Sequence, residues 1–165
     1  MVLSGETIRE LDIVQPCVER QIDERVGCSF GLGNCSYDIT LDHDVYLRAG
    51  RTVLANSSEY LNLPSNVAGF PHDKSTWIRE GIRGGTTFID PGFKGFLTLE
   101  LTYNPVFVEG EGGTYNKKNR DIYFIPKGAP IMQIVFMPTD KDTDGYNGKY
   151  QNQERKPVAA RFELG

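Results

Sequence analysis

From Ser36 onward the chain is written in short β-favouring runs separated by turn residues, and that rhythm limits the folds open to it. The runs are Tyr37 to Leu41, Val45 to Leu47, Thr52 to Leu54, Glu59 to Leu63, Val67 to Phe70, Thr86 to Ile89, Phe96 to Thr102, Val106 to Val108, Asp121 to Ile125 and Ile131 to Phe136. So many short strands at close spacing point to an all-β barrel or a jelly-roll-like sandwich. The 18 glycines and 9 prolines fall between them, as at Ala49-Gly50, Pro91-Gly92 and Lys127-Gly128, where turns need them. One helix start is clear: the Ser4 hydroxyl can cap a short helix running through Glu6 and Ile8 to Leu11. The stretch Glu109 to Arg120 reads as a long, mobile, solvated hairpin loop, and after Pro138 the chain turns polar again. A single domain is expected over residues 1–165, with 139–165 as a C-terminal tail, since 165 residues suffice to bury one core.

A net charge of −4 provides no basic field for a nucleic-acid backbone or an anionic membrane surface. A few converging cations could still hold a small anion such as a triphosphate. No apolar run has the length of a bilayer span, and MVLSGETIREL lacks the cationic and apolar regions of a signal peptide, so a cytoplasmic location is expected. Cys17, Cys28 and Cys35 are odd in number and contain no C-x-x-C, which reads as reduced core thiols. A zinc deaminase needs H-x-E or C-x-E followed by P-C-x-x-C. Neither His43 nor His72 is followed by x-E and no C-x-x-C exists, so no zinc is expected. Phosphate loops of the form G-x-x-x-x-G-K-S/T, dinucleotide fingerprints and G-x-S-x-G elbows are also missing.

Three segments carry candidate chemistry. In Phe96-Leu97-Thr98-Leu99-Glu100-Leu101-Thr102, alternation puts the three leucines on one face and Phe96, Thr98, Glu100 and Thr102 on the other. Glu100 is an ordinary solvated charge if that face is open. Covered by a ligand or a subunit, it becomes a desolvated carboxyl with a raised pKa, as a proton shuttle requires. Asp90 precedes Pro91-Gly92 in a turn, where an aspartate commonly bonds its own backbone. In HDKSTWIREG, Ser75 and Arg79 lie four apart beside Lys74, so one helical turn would gather hydroxyl, guanidinium and ammonium as phosphate recognition needs; a plain surface turn explains them as well.

Read together, ordered segments of the chain resemble the dCTP deaminase branch of the trimeric dUTPase superfamily. They are LSGETIREL, CSYDITL, GRTVLANSSEYLNLPSNVAG, KSTWIREG, FIDPGFKGFLTLEL, PKGAPIMQIVF and YNGKYQNQ. The resemblance implies a dUTPase-like distorted β-barrel with a short N-terminal helix, and zinc-independent deamination of a dCTP-type substrate to the dUTP-type product and ammonia. It makes Glu100 the general base, with Ser75 and Arg79 assisting. It puts Lys74, Ser75 and Arg79 at the phosphates, and Asp90 at the deoxyribose 3′-hydroxyl. Phe93 packs on the sugar, and Phe88, Ile89 and Gln133 line the site. Tyr146, Lys149 and Gln153 close over the triphosphate from the tail, with Mg²⁺ held through phosphate oxygens. It also implies a homotrimer with sites between subunits.

Two departures stand out. Thr86 takes the place of a small alanine beside the base, which opens a 5-substituted dCTP such as 5-methyl-dCTP as substrate. A block usual before the GRTVL strand is missing and the Glu109 to Arg120 loop looks added, a compact form that suggests a phage or other mobile element. A dUTPase, with Asp90 directing water at the α-phosphate, is the alternative activity, and an enzyme doing both or a non-catalytic nucleotide binder stays open.

Overall fold

In the computed structural model, Ser4 caps α1 (Gly5–Glu10) by accepting a hydrogen bond from the Thr7 amide at 3.2 Å. The structure describes residues 1–105, 108–110, 113–115 and 121–163, and at 108–110 and 113–115 the backbone alone. The strands are β1 (Val14–Gln15), β2 (Gln21–Asp23), β3 (Cys28–Leu32), β4 (Tyr37–Thr40), β5 (Val45–Arg48), β6 (Thr52–Asn62), β7 (Val67–Asp73), β8 (Ile82–Gly84), β9 (Lys94–Tyr103), β10 (Val108–Gly110), β11 (Gly113–Tyr115), β12 (Ile122–Ile125) and β13 (Pro130–Pro138), with α2 (Ser75–Arg79) between β7 and β8. The expected strand at Val106 to Val108 and the loop Glu109 to Arg120 fall largely outside the described residues. Within them, β10 pairs antiparallel with β11.

Two sheets carry the fold, in the orders β2-β3-β4-β13-β7 and β1-β6-β9-β8, and a further pair joins β5 to β12. The chain is mostly β, its curled sheets forming a half-barrel with a short N-terminal helix. Tyr37, Ile39, Ile134 and Phe136 from one sheet meet Leu61 and Leu101 from the other, all fully buried. Burial of each such side chain stabilises the fold by about 1.5–3 kcal/mol.

Three strand expectations need correction. Thr52 to Leu54 and Glu59 to Leu63 are parts of one eleven-residue strand, because a bulge between Asn56 and Tyr60 interrupts the alternation without ending the pairing with β9. Thr86 to Ile89 is not a strand: the edge of β9 is already taken by β8, and the chain crosses to the other sheet, where Ile89 makes a single bridge to Gly69. The segment from Val14 to Leu32, with no alternating run to announce it, supplies β1, β2 and β3.

At the bulge, Ser57 Oγ accepts from the Leu97 amide at 2.9 Å and donates to the Glu59 carbonyl at 2.8 Å, standing in for a missing ladder bond. The buried Glu59 carboxylate accepts from both the amide and the hydroxyl of Thr40, each at 2.9 Å, and so ties β6 to β4 of the opposite sheet. Burial raises the Glu59 carboxyl and the bonds from Thr40 oppose that rise. Thr40→Val keeps the shape and removes the hydroxyl partner of the Glu59 carboxylate while leaving the amide. Urea unfolding at neutral pH should show a loss of about 1–3 kcal/mol.

Candidate functional site

β9 lies between β6 and β8, and its alternation holds for Leu99 and Leu101, whereas Leu97, opposite the bulge in β6, stays half-buried. Leu99 and Leu101 are buried, while Thr98, Glu100 and Thr102 stand on the other, half-covered face. Glu100 pairs across the sheet with Leu54, and its carbonyl accepts from the Gly85 amide at 2.9 Å. Desolvation raises its carboxyl above the usual carboxylate range, partly opposed by a backbone hydrogen bond.

Asp90-Pro91-Gly92-Phe93 is a turn with Gly92 in the left-handed region at φ +79° and the Phe93 amide bonded to the Asp90 carbonyl at 3.1 Å. The turn is fixed from outside, since the Gly92 amide donates to Pro64 and the Phe93 carbonyl accepts from Leu63. Asp90 is thereby presented exposed, and Phe93 is buried beneath it with its ring 6.0 Å from that of Tyr146.

The tail folds back on this face. The Tyr146 amide donates to Pro91 at 2.7 Å, Gln151 bonds the Gly92 and Tyr146 carbonyls, the Phe96 amide donates to Gln153, and the Val158 amide donates to Thr98 Oγ1 at 3.0 Å. The Gln153 amide group also donates to Thr98 Oγ1. Glu100, Asp90, Phe93, Phe88, Ile89, Tyr146 and Gln153 thus line one cavity of about 410 Å³, walled by Leu54, Leu97 and Met132 and roofed by Tyr150 and Val158.

The other predicted residues stand elsewhere. Lys74, Ser75 and Gln133 line a separate cavity of about 440 Å³ with Arg20, Ser29 and Asp73. Lys74 is held there by Asp38 at 2.6 Å, both nearly buried, so its charge is already paired; one Asp38 oxygen stays buried without a partner. Gln133 donates to Ser36 Oγ at 3.0 Å. Arg79, Thr86 and Lys149 are exposed and line neither cavity; beside Glu100 the chain instead presents Gly85 and Thr87. Among the described residues, no three His, Cys, Asp or Glu side chains gather as metal ligands, and no helix is long and apolar enough to cross a membrane.

Sequence reasoning missed Arg20, Leu54, Met132 and Tyr150. Leu54 was within reach, because the β6–β9 register sets it opposite Glu100. Asp38 had a signal too: a carboxylate inside the run Tyr37 to Leu41 demands a buried partner.

The family of dCTP deaminase-like domains matches residues 34–111. A dCTP deaminase of Aeropyrum pernix is 35% identical over 161 residues, covering 92% of this chain and 80% of that protein. One from Pyrococcus horikoshii is 28% identical over 170 residues, covering 99% and 100%. The crystal structure of the 2′-deoxycytidine 5′-triphosphate deaminase from Agrobacterium tumefaciens shares the fold with a TM-score of 0.59 at 17% identity, over 82% of this chain and about half, 48%, of the other. With a third of its residues shared along nearly its whole length with such a relative, the chain belongs to the dCTP deaminase family.

Proposed function

We propose that the protein hydrolytically deaminates dCTP or a 5-substituted dCTP to the corresponding deoxyuridine triphosphate and ammonia, without zinc. The observation that carries this is the half-buried Glu100 carboxylate, raised by desolvation, in one cavity with Asp90 and Phe93 under the tail. Glu100 takes a proton from water as its oxygen bonds C4 of the pyrimidine and returns that proton to the ring. It then shuttles the remaining hydroxyl proton to the amino group. The C4–N4 bond breaks, ammonia leaves, and C4 keeps the oxygen as a carbonyl. Asp90 receives the 3′-hydroxyl, and Phe93 fills the space a 2′-hydroxyl would need. The apolar wall of Leu54, Met132 and Phe88 suits a pyrimidine edge and leaves room in kind for a 5-methyl group.

Ser75, Arg79 and Gln133 recognise the triphosphate, with Lys74 fixing the segment through Asp38, and Tyr146, Lys149 and Gln153 close over it. Mg²⁺, where present, is carried by the phosphate oxygens. Because Ser75 and Glu100 line different cavities of one chain, a site that uses both takes them from neighbouring subunits, which supports a homotrimer. A second activity, hydrolysis of dUTP to dUMP and pyrophosphate, is favoured by one feature: Asp90 stands exposed at the cavity, free to direct water to an α-phosphate.

Incubation with dCTP, 5-methyl-dCTP or dUTP plus Mg²⁺, with ammonia and pyrophosphate measured separately, decides among these. Ammonia from either cytosine compound is expected; pyrophosphate alone would make the protein a dUTPase, and neither product would leave it a binder.

Glu100→Gln should lower ammonia release by about 10²–10⁴-fold. The wild-type rate should climb with pH along an acidic limb displaced above the usual carboxylate range, since the base must be ionised. The sign for stability is opposite. A carboxyl whose pKa is raised by folding binds its proton more tightly in the native state, so stability falls as pH rises from the unfolded to the folded value. Glu100→Gln escapes that loss and should melt higher than wild type at neutral pH by calorimetry. Hybrid trimers supply a further check: mixing inactive Glu100→Gln with inactive Ser75→Ala chains should restore activity in about a quarter of the sites. No restoration after subunit exchange would place both residues in one chain's site.

A further inference from the structure

Gly84 and Gly85 sit where the chain leaves β8, directly beside Glu100. Neither has a positive φ, so no left-handed turn calls for glycine there. The reason is space. A Cβ on Gly84 would lie 2.6 Å from the Met132 sulfur, and a Cβ on Gly85 would lie 2.6 Å from Glu100 Oε2 and 3.3 Å from Glu100 Cβ. Such approaches fall well inside van der Waals contact, so the carboxylate rests on the bare Cα of Gly85.

The ladder explains why these atoms meet. β8 runs against β9 with Gly84 opposite Leu101, and the bond from the Gly85 amide to the Glu100 carbonyl extends the pairing by one step. On the other side of β9, Leu54 of β6 stands opposite Glu100. Leu54, Glu100 and Gly85 therefore form one row across three strands, and cross-strand neighbours in such a row share a face. Leu54 closes one flank of the carboxylate with hydrocarbon. Gly85 leaves the other flank without a side chain, and the carboxylate leans into that gap.

We propose that Gly85 is the positioning residue for Glu100: its missing side chain lets the carboxylate lie flat against the sheet, shielded by Leu54 and aimed along the cavity floor. This rests on the reading of Glu100 as the base. The clash in Gly85→Ala is with the far end of a flexible side chain, so the fold yields by turning the carboxylate out of its place toward the open cavity. There it is better hydrated. The remaining titratable groups lining the cavity are the Asp90 carboxyl and the phenols of Tyr146 and Tyr150, and the cation on the adjoining strand, Arg83, is exposed and paired at 3.8 Å with Asp73.

The test is ¹³C NMR titration of the Glu100 carboxyl carbon in the full-length protein, assigned by its disappearance in Glu100→Gln. In Gly85→Ala the carboxyl should titrate at lower pH than in wild type, and kcat for ammonia release from dCTP should fall about tenfold or more while KM changes by less than about threefold. An unchanged or higher midpoint overturns the proposal whether or not the protein deaminates dCTP. A lowered midpoint with kcat retained keeps the hold of Gly85 on the carboxylate and removes Glu100 from the role of base. If Gly85→Ala alone does not fold, Gly85→Ala combined with Glu100→Asp must, because the shorter side chain vacates the contested space. Failure of that double variant where Glu100→Asp folds also overturns the proposal.

Discussion

Strand β6 ties its own sheet to the other through the bulge at Ser57, Ser58 and Glu59, three residues that stand against the single residue Leu97 of β9. A bulge of that size would leave backbone groups stranded between two hydrophobic layers, where an unmade hydrogen bond is costly. Here each is met. Ser57 Oγ takes the Leu97 amide, the Asp42 amide donates to the Asn56 carbonyl at 3.1 Å, Leu41 bridges Ser57, and Glu59 receives Thr40. The kink turns the end of β4 and the middle of β6 into a seam between the sheets. Beyond it β6 returns to register with β9, so the seam also fixes where β9 begins and which of its side chains faces outward.

The position of Glu100 follows from that register. A slip of one residue would send Leu99 and Leu101 to the solvent face and the carboxylate into the core, an exchange of two buried leucines for a buried charge. The cost of such a slip secures the position of Glu100. The same economy governs the cations. Lys74 is taken by Asp38 and Arg25 by Asp23, so in a protein of net charge −4 the free positive charge near the candidate phosphate cavity falls to exposed residues such as Arg20.

Much of this was legible in the sequence because periodicity records it. The two faces of Thr98–Thr102, the cap at Ser4 and the turn at Asp90-Pro91-Gly92 each follow from local rules, and the structure keeps them, while Leu97, opposite the bulge, leaves the core face. What stayed hidden depends on partners distant in the chain. Thr86 to Ile89 has the composition of a strand, yet the edge of β9 was occupied by β8 and the segment reaches β7 through Ile89 alone. Nothing near Lys74 reveals that Asp38, thirty-six residues earlier, neutralises it. Gly84-Gly85 reads as an ordinary turn dipeptide until Glu100 and Met132 are seen pressed against it.

The covering of Glu100 shows how a site can be both closed and accessible. A carboxyl of raised pKa needs to be kept from water, but burial under a strand would bar any ligand as well. The residues over the cavity come instead from the tail, which carries no regular secondary structure in its described part. It is fastened at a few points, the carbonyls of Pro91, Gly92 and Lys94, the Phe96 amide and the hydroxyl of Thr98, with Phe93 against Tyr146. Hydrogen bonds of this kind are worth about 0.5–1.5 kcal/mol each, so releasing several costs less than parting two paired strands with their buried side chains. The tail residues Tyr146, Tyr150, Gln153 and Val158 line the same cavity as the Glu100 carboxyl, whose pKa burial raises, so the cover over that carboxyl is held by bonds weaker than a strand pairing.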